Sequence, residues 1–295
     1  MSDVVVVALA GFAAAFVDGA LGMGFGPTSS SILLSSGLSP AAVSATVNIA
    51  KVASGVAGGV AHWRFGNIDR RVVARLAAPG VAGALIGTTI LANVDGDQLR
   101  PILATLLLVI GLRILVRFRA GVTPPTRRDP SGAPDLRGTA VAGAAGGVTN
   151  GLIGTWGPVV TPFLLHRGML PRIVVGSVNT AEVAVATVAA GSLLTTQRGL
   201  DPATIVAMLI GGVLAAPVAA LTVRRIPARA LGVLVAGLLL VTNTRELAVW
   251  AEVGDLRWAA YAVVVITVLA VGRPTWRAAG NAGAPAVASV GRVEP

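Results

Sequence analysis

Apolar runs of about twenty residues recur along the chain and constrain its fold more than any other feature. The stretches 99–115 and 231–241, taken with their flanks, approach the roughly 20 residues that a helix needs to cross the hydrocarbon core of a bilayer. Hydrophobic residues fill 54% of the 295 positions, charged residues only 12%, and the mean hydropathy is +0.80. Soluble domains do not have this composition. The sequence therefore predicts an all-α integral membrane protein.

The charged residues and the missing cysteines exclude several classes of function. The net charge of +10 comes from arginines at the ends of apolar segments, where the cytoplasmic flanks of membrane spans are basic, so we expect no nucleic-acid partner. There is no cysteine, and His62 and His166 are far apart in sequence, so we expect neither a metal site nor a bound cofactor. The first residues lack the basic region of a signal peptide and are predicted to stay in the mature protein.

The two halves of the chain repeat each other at an offset of about 132 residues. Glycine, proline and asparagine matches are the informative ones, because alanine-rich helices align easily by chance. The matched positions are Asp18-Gly19 with Asn150-Gly151, Gly22 with Gly154, Gly26-Pro27 with Gly157-Pro158, Gly37 with Gly168, Pro40 with Pro171, Asn48 with Asn179, and Asp69 with Asp201.

Each unit is predicted to hold a helix A (4–21 and 139–153), a Gly/Pro break, a short apolar piece B (28–36 and 159–166), and three further helices C, D and E. A piece of about nine residues spans only about 14 Å, so piece B stops partway through the membrane. The predicted organisation is repeat 1 over 1–117, a cytoplasmic linker over 118–137, repeat 2 over 138–250, a final membrane helix over 251–273 and a disordered tail over 274–295.

The basic loops indicate that the two repeats run in opposite directions. In repeat 1 the C-to-D loop is basic, whereas in repeat 2 the D-to-E loop is basic, and both are expected in the cytoplasm. The residues concerned are Arg64, Arg70, Arg71 and Arg75 in the first loop, and Arg224, Arg225 and Arg229 in the second. If A and B form re-entrant hairpins, the fold is two inverted repeats with about 7–8 transmembrane helices, the N-terminus outside and the tail inside.

The Gly-rich breaks are the first candidate binding site. Glycine permits positive φ and close approach, and the free N–H groups at the start of piece B favour an anion, with nearby hydroxyls in support. Tight helix packing through small residues is the alternative interpretation. The predicted binding residues here are Gly22, Gly24, Gly26, Ser29, Gly154 and Gly157.

Two polar pairs inside helix C are the second candidate site. Asn48 and Lys51 share a helix face in repeat 1, as do Asn179 and Glu182 in repeat 2. Ionisable residues in the membrane are costly and mark a pathway, an ion pair or both. Two interpretations stay open: a salt bridge between the repeats, or an anion attracted by Lys51 with a coupling proton carried by Glu182.

The stretch 62–69 closes helix C of repeat 1 with polar and aromatic residues. Such a mixture is typical of an interfacial anchor and is compatible with a gate, so His62, Arg64 and Asp69 are assigned to a gate or interface.

These motifs together resemble the TauE/SafE family of membrane permeases, also described as sulfite exporters. The family carries three patterns: Gly-x-Gly-Gly-Gly, Pro-x-Leu and His-x-Arg-x-Gly-x-x-Asp. This chain matches the last pattern in full and the other two in part. The matching residues are Gly22, Gly24, Gly26, His62, Arg64, Gly66 and Asp69, and in repeat 2 Gly154, Gly157, Pro162, Leu164, Gly199 and Asp201. Ser31 stands where repeat 1 would carry the proline. The resemblance implies transport of sulfite, sulfonates or related sulfur oxyanions.

The function expected from these features is a secondary transporter, a multi-pass permease in a bacterial cytoplasmic (inner) membrane that moves a small anion. A channel or a non-transport assembly protein is the alternative. A membrane enzyme is disfavoured, because no HExxH or GxSxG motif is present, and a GxxxxGK[ST] loop for ATP is also missing. The expected partners are the anion and the lipid bilayer, and homo-oligomerisation is left open.

Overall fold

The computed structural model describes residues 2–21, 23–119, 136–196, 201–222 and 228–281, which form helices and no strands. The all-α prediction is confirmed. The helices in chain order are α1 (Ser2–Leu21), α2 (Phe25–Ser35), α3 (Pro40–Arg64), α4 (Arg70–Asn93), α5 (Gly96–Arg119), α6 (Thr139–Ile153), α7 (Gly157–His166), α8 (Pro171–Thr196), α9 (Pro202–Thr222), α10 (Ala228–Trp250) and α11 (Leu256–Asn281).

Within the described residues, five helices are long and apolar enough to cross a membrane: Pro40–Arg64, Arg70–Asn93, Gly96–Phe118, Pro171–Thr196 and Ala230–Trp250. Shorter apolar segments lie at Val4–Asp18, Pro202–Ala215 and Leu256–Val271. This is the composition of a multi-pass membrane protein.

Helices α1–α5 and α6–α10 correspond one to one, as the duplication predicts. Asp69 and Asp201 both accept hydrogen bonds from the first backbone N–H groups of the helix that follows, α4 and α9. Gly37 and Gly168, which follow the short helices α2 and α7, both have positive φ. The exact limits of the repeats stay a prediction.

Equivalent helices of the two repeats are antiparallel. Along α3 and α8, Lys51 faces Glu182 at mid-helix, while Asn67 just beyond α3 touches Gly176 near the start of α8. Along α5 and α10, Arg100 near the start of one helix pairs with Glu246 near the end of the other. Antiparallel pairing of equivalent helices is the geometry of inverted repeats, so this part of the fold prediction is confirmed.

The helix pairs α1–α2 and α6–α7 are re-entrant hairpins. Helix α1 runs parallel to α9, since Gly11 touches Met208 and Ala15 lies beside Gly212. Helix α1 therefore enters from the side where α8 ends and α3 begins. Helix α2 returns to that side, because Arg100 at the start of α5 donates to the carbonyl of Leu34 at 3.0 Å.

The second hairpin enters from the opposite side. Helix α6 runs parallel to α4, with Gly143 against Leu76 and Gly151 against Ala84, and α7 leads back to the start of α8. Glycines permit the close backbone approach at all these crossings. Among the described helices, α3, α4, α5, α8 and α10 are long and apolar enough to run from one side to the other, and α9 joins the end of α8 to α10.

Two hydrophobic clusters divide the bundle. The larger cluster holds the first hairpin, α5, α9, α10 and the N-terminal half of α3, with Leu107, Met208 and Leu239 fully buried. The smaller cluster joins α4, α7 and α8 around Trp156 and Val185.

Three predicted boundaries differ from the structure. Helix α2 begins at Phe25 and α7 at Gly157, two or three residues before the predicted starts. Pro27 and Pro158 lie within the first helical turns, where the N–H that proline lacks would have no acceptor within the helix. Helix α11 continues to Asn281 rather than ending at 273, in keeping with the helix propensity of its Ala and Arg residues. Most of the predicted linker and residues 282–295 of the predicted tail lie outside the described residues.

The hairpin arrangement predicts the outcome of cysteine labelling. The chain has no native cysteine, so single cysteines can be introduced at Asp95, before α5, and at Ala228, the first residue of α10. We expect an impermeant maleimide to label them from opposite sides of the membrane. A cysteine at the exposed Ser39 should label from the same side as Asp95. Labelling of Asp95 and Ala228 from one side would contradict the inverted arrangement.

Candidate functional site

A cavity of about 150 Å³ lies in the middle of the bundle, where the two hairpin tips meet helices α3 and α8. Lys51 and Glu182, each midway along its helix, line this central cavity with Asn179. Gly26 and Gly157, in the first turns of α2 and α7, belong to the same lining. Interrupted helices that meet at mid-membrane are the usual location of a transporter's binding site.

Lys51 and Glu182 form an ion pair across the repeats. Their side chains are only 7% and 18% exposed, so each neutralises a charge that would otherwise be stranded in the bundle. The pair faces the cavity instead of being packed in apolar residues. Both interpretations drawn from the sequence therefore stay open, because a pair at a cavity wall is able to neutralise itself and to meet a ligand.

The two Gly breaks are in direct contact. A Cβ atom at Gly26 would overlap the carbonyl oxygen of Gly154, and one at Gly157 would lie 3.2 Å from the Cβ atom of Met23. Of the two properties that glycine permits at the breaks, Gly154 uses positive φ, at +63°, whereas Gly26 and Gly157 do not have positive φ. Close backbone approach is the reason for glycine at Gly26.

At the start of α2, a side chain takes up two of the backbone N–H groups that the sequence predicted to be free. The Oδ1 atom of Asp18 accepts from the backbone N–H of Gly24 at 2.9 Å and of Phe25 at 3.2 Å. A side chain of the protein thus takes the place predicted for an anion at this break. At the other break, none of the described residues accepts a hydrogen bond from the N–H of Gly157, which lines the cavity.

Several predicted binding residues lie outside the cavity lining. Ser29 donates back to the carbonyl of Phe25 at 2.6 Å, within its own helix. Asn48 exchanges hydrogen bonds with Asn150, donating to its carbonyl at 3.1 Å and accepting from its Nδ2 at 2.6 Å. Gly154 sits behind the tip against Val47, and Gly22 lies outside the described residues. These residues lie behind the cavity lining, and the hydrogen bonds of Asn48 connect α3 to the second hairpin.

The residues assigned to a gate or interface shape the turn between α3 and α4. Gly66 has positive φ and ends α3, with the N–H of Asn67 donating to the carbonyl of His62 at 2.9 Å. Asp69 caps α4, and its N–H donates to the hydroxyl of Ser177 at 2.9 Å. None of the cavity-lining residues belongs to this turn.

Asp18 is the residue that the sequence prediction missed. It lines the cavity together with Lys51 and Glu182, so the described lining carries two carboxylates and one ammonium group, a formal charge of −1. The signal was present in the repeat, because Asp18 is aligned with Asn150 at the tip of helix A, and the two differ in charge.

Two inverted repeats with hairpin tips that meet at a mid-bundle cavity lined by charged side chains define a membrane transporter. The chain belongs to the family described as Sulfite exporter TauE/SafE, which its sequence matches over residues 7–245. It is 37% identical over 252 residues to the probable membrane transporter protein YtnM of Bacillus subtilis (strain 168), a match that covers 84% of this chain and 83% of the relative. No solved structure matches the chain. The resemblance drawn from the motifs is confirmed.

Proposed function

We propose that this membrane transporter is a secondary permease of the cytoplasmic membrane that carries sulfite, a sulfonate or a related sulfur oxyanion through the central cavity. The observation that carries the proposal is the cavity itself, which lies at mid-helix, is bounded by both hairpin tips and holds the ion pair of Lys51 and Glu182 in its wall. A scaffold protein has no use for an ion pair at such a cavity, since buried charges are costly.

The chemistry of the wall supports an oxyanion. The ammonium group of Lys51 provides positive charge, and the N–H of Gly157 stands at the positive end of the α7 dipole. The side chain of Asn179 has no hydrogen-bond partner among the described residues and faces the same space. Together these groups offer several donors to the oxygens of one small anion.

The inequality of the two repeats supports alternating access. Asn48 and Asn150 are hydrogen-bonded to each other. The residues equivalent to them in the repeat, Asn179 and Asp18, both line the cavity and are not hydrogen-bonded to each other. Exchange of the two arrangements, with Asn179 closing on Asp18 and Asn48 leaving Asn150, would open the opposite side.

A second pair of equivalent residues follows the same rule. Ser30 donates to the carbonyl of Ile153, whereas the equivalent Thr161 is buried and has no partner among the described residues. In the exchanged state Thr161 would reach the equivalent carbonyl, that of Leu21.

The open side is assigned to the cytoplasm. The cavity continues from Lys51 past Gly55 and Gly58, along a half of α3 whose residues are mostly exposed. This half leads toward the turn at 65–69, which Arg64, Arg70 and Arg71 flank. Basic loops face the cytoplasm, so this state faces inward.

Flux measurements in proteoliposomes test the proposal. We expect saturable uptake of radiolabelled sulfite, accelerated by unlabelled sulfite loaded inside, because a carrier returns faster when it is occupied. Protein-free vesicles and vesicles with a heat-denatured protein are the controls. Uptake that neither saturates nor responds to internal sulfite would favour the channel alternative, and uptake equal to the controls would contradict transport of this anion.

A further inference from the structure

We propose that Asp18 is a charge-selecting residue that restricts the transported substrate to singly charged oxyanions, such as hydrogen sulfite or a sulfonate. The inference rests on the proposed function and deepens it, because it names the charge class of the substrate. It begins from the position of one carboxylate at the tip of the first hairpin.

Asp18 is a resident anion of the central cavity. Its Oδ1 atom accepts from the N–H groups of Gly24 and Phe25, so the carboxylate occupies the positive end of α2. Two backbone donors of the first hairpin, those of Gly24 and Phe25, are therefore already in use when a substrate anion arrives.

Other donors of the cavity lining remain. The N–H of Gly157 at the second hairpin has no acceptor among the described residues, and Asn179 and Lys51 belong to the same lining. Lys51 is already paired with Glu182, so the charge of Asp18 is not compensated by any other described ionisable group of the lining. Two negative charges on the substrate would double its repulsion from Asp18, since Coulomb energy is proportional to charge.

The repeat shows that this charge is not needed to build the hairpin. Asn150, the equivalent residue, is neutral and closes on Asn48. An asparagine at position 18 keeps an oxygen that can accept from Gly24 and Phe25, and it would recreate the asparagine pair with Asn179. The substitution Asp18→Asn thus removes the charge and retains the geometry.

The test is competition by sulfate, which carries two negative charges at neutral pH, against uptake of radiolabelled sulfite in proteoliposomes. Wild-type protein should be inhibited weakly by sulfate. Asp18→Asn should be inhibited at sulfate concentrations lower by at least about tenfold, while methanesulfonate, with one charge, should inhibit both proteins within about threefold of each other.

Asp201→Asn is the matched control, because Asp201 caps a helix in the same way and lies outside the cavity lining. The backbone N–H of Ala203 and the hydroxyl of Thr204 hold the pKa of Asp201 below its ordinary value, so this substitution also removes a charge. Its sulfate inhibition should equal that of the wild type. Asp18→Ser, a second neutral cap, replaces Asp18→Asn if the latter does not fold.

Unchanged sulfate inhibition in a folded Asp18→Asn or Asp18→Ser protein overturns the role of Asp18, whatever the uptake rate. If wild-type vesicles take up no sulfite, the proposed function fails instead. Sulfate binding to the purified proteins, measured by titration calorimetry, then decides the role of Asp18: tighter binding by the neutral variants supports it and equal binding refutes it.

Discussion

Replacing Gly26 by alanine is expected to reduce sulfite uptake by at least about tenfold, and replacement by valine to abolish it. The added Cβ atom would overlap the carbonyl oxygen of Gly154 and lie 3.0 Å from the Cα atom of Thr155. Overpacking against side chains costs about 1–3 kcal/mol, and here the obstacle is backbone, which has no rotamer to change. The two hairpin tips would have to separate. Initial uptake rates per reconstituted protein measure the effect.

Gly191→Ala is the matched control for the Gly26 variants. Gly191 lies inside α8, and a Cβ atom there would meet nothing within 4 Å, so this variant should transport normally and fold at least as stably. Gly157→Val should impair uptake less than Gly26→Val, because a Cβ atom at Gly157 would lie 3.2 Å from its nearest neighbour, the Cβ atom of Met23, whereas one at Gly26 would overlap the carbonyl oxygen of Gly154. Normal transport by Gly26→Ala would mean that the contact between the tips is ordinary packing.

The repeat and the hairpins were predictable because backbone requirements leave local marks in a sequence. Gly37 and Gly168 end short helices with positive φ, and Pro27 and Pro158 fit the first turns of α2 and α7. Each requirement concerns a few consecutive residues. Their recurrence at one offset therefore revealed a duplicated unit, and the arginines of the loops added its orientation.

The residues that line the site were less predictable, because they depend on which of two equivalent contacts between the repeats is hydrogen-bonded and which is open to the cavity. Asn48 and Asn179 are equivalent in sequence, yet Asn48 is buried against Asn150 and Asn179 lines the cavity. The sequence shows the same asparagine at both equivalent positions and does not indicate which of the two is hydrogen-bonded in a given state. The capture of the α2 donors by Asp18 likewise required the fold of the break, since a carboxylate six residues before Gly24 reaches it only after the chain reverses.

The second large effect is expected at the ion pair of Lys51 and Glu182. If the two residues only neutralise each other, Lys51→Met and Glu182→Gln should each lower stability or activity, since breaking a buried pair costs about 3–5 kcal/mol. The double variant should then recover both properties. Glu246→Gln is the control, because it breaks another ion pair, with Arg100 at 3.2 Å, away from the cavity.

We expect a different pattern, in which the double variant folds well and fails in proton-driven uptake, while Glu182→Gln alone retains exchange of sulfite for sulfite. The pair faces a cavity with Asn179 and Asp18, where a ligand and a proton have access, and it is not enclosed by apolar side chains. An ammonium group at Lys51 would still attract the anion after Glu182 has lost its charge. Uptake by the wild type, both single variants and the double variant, with and without a pH gradient, measures the difference. Wild-type proton-driven uptake by the double variant would end the hypothesis that Glu182 carries the proton and leave the pair a structural salt bridge.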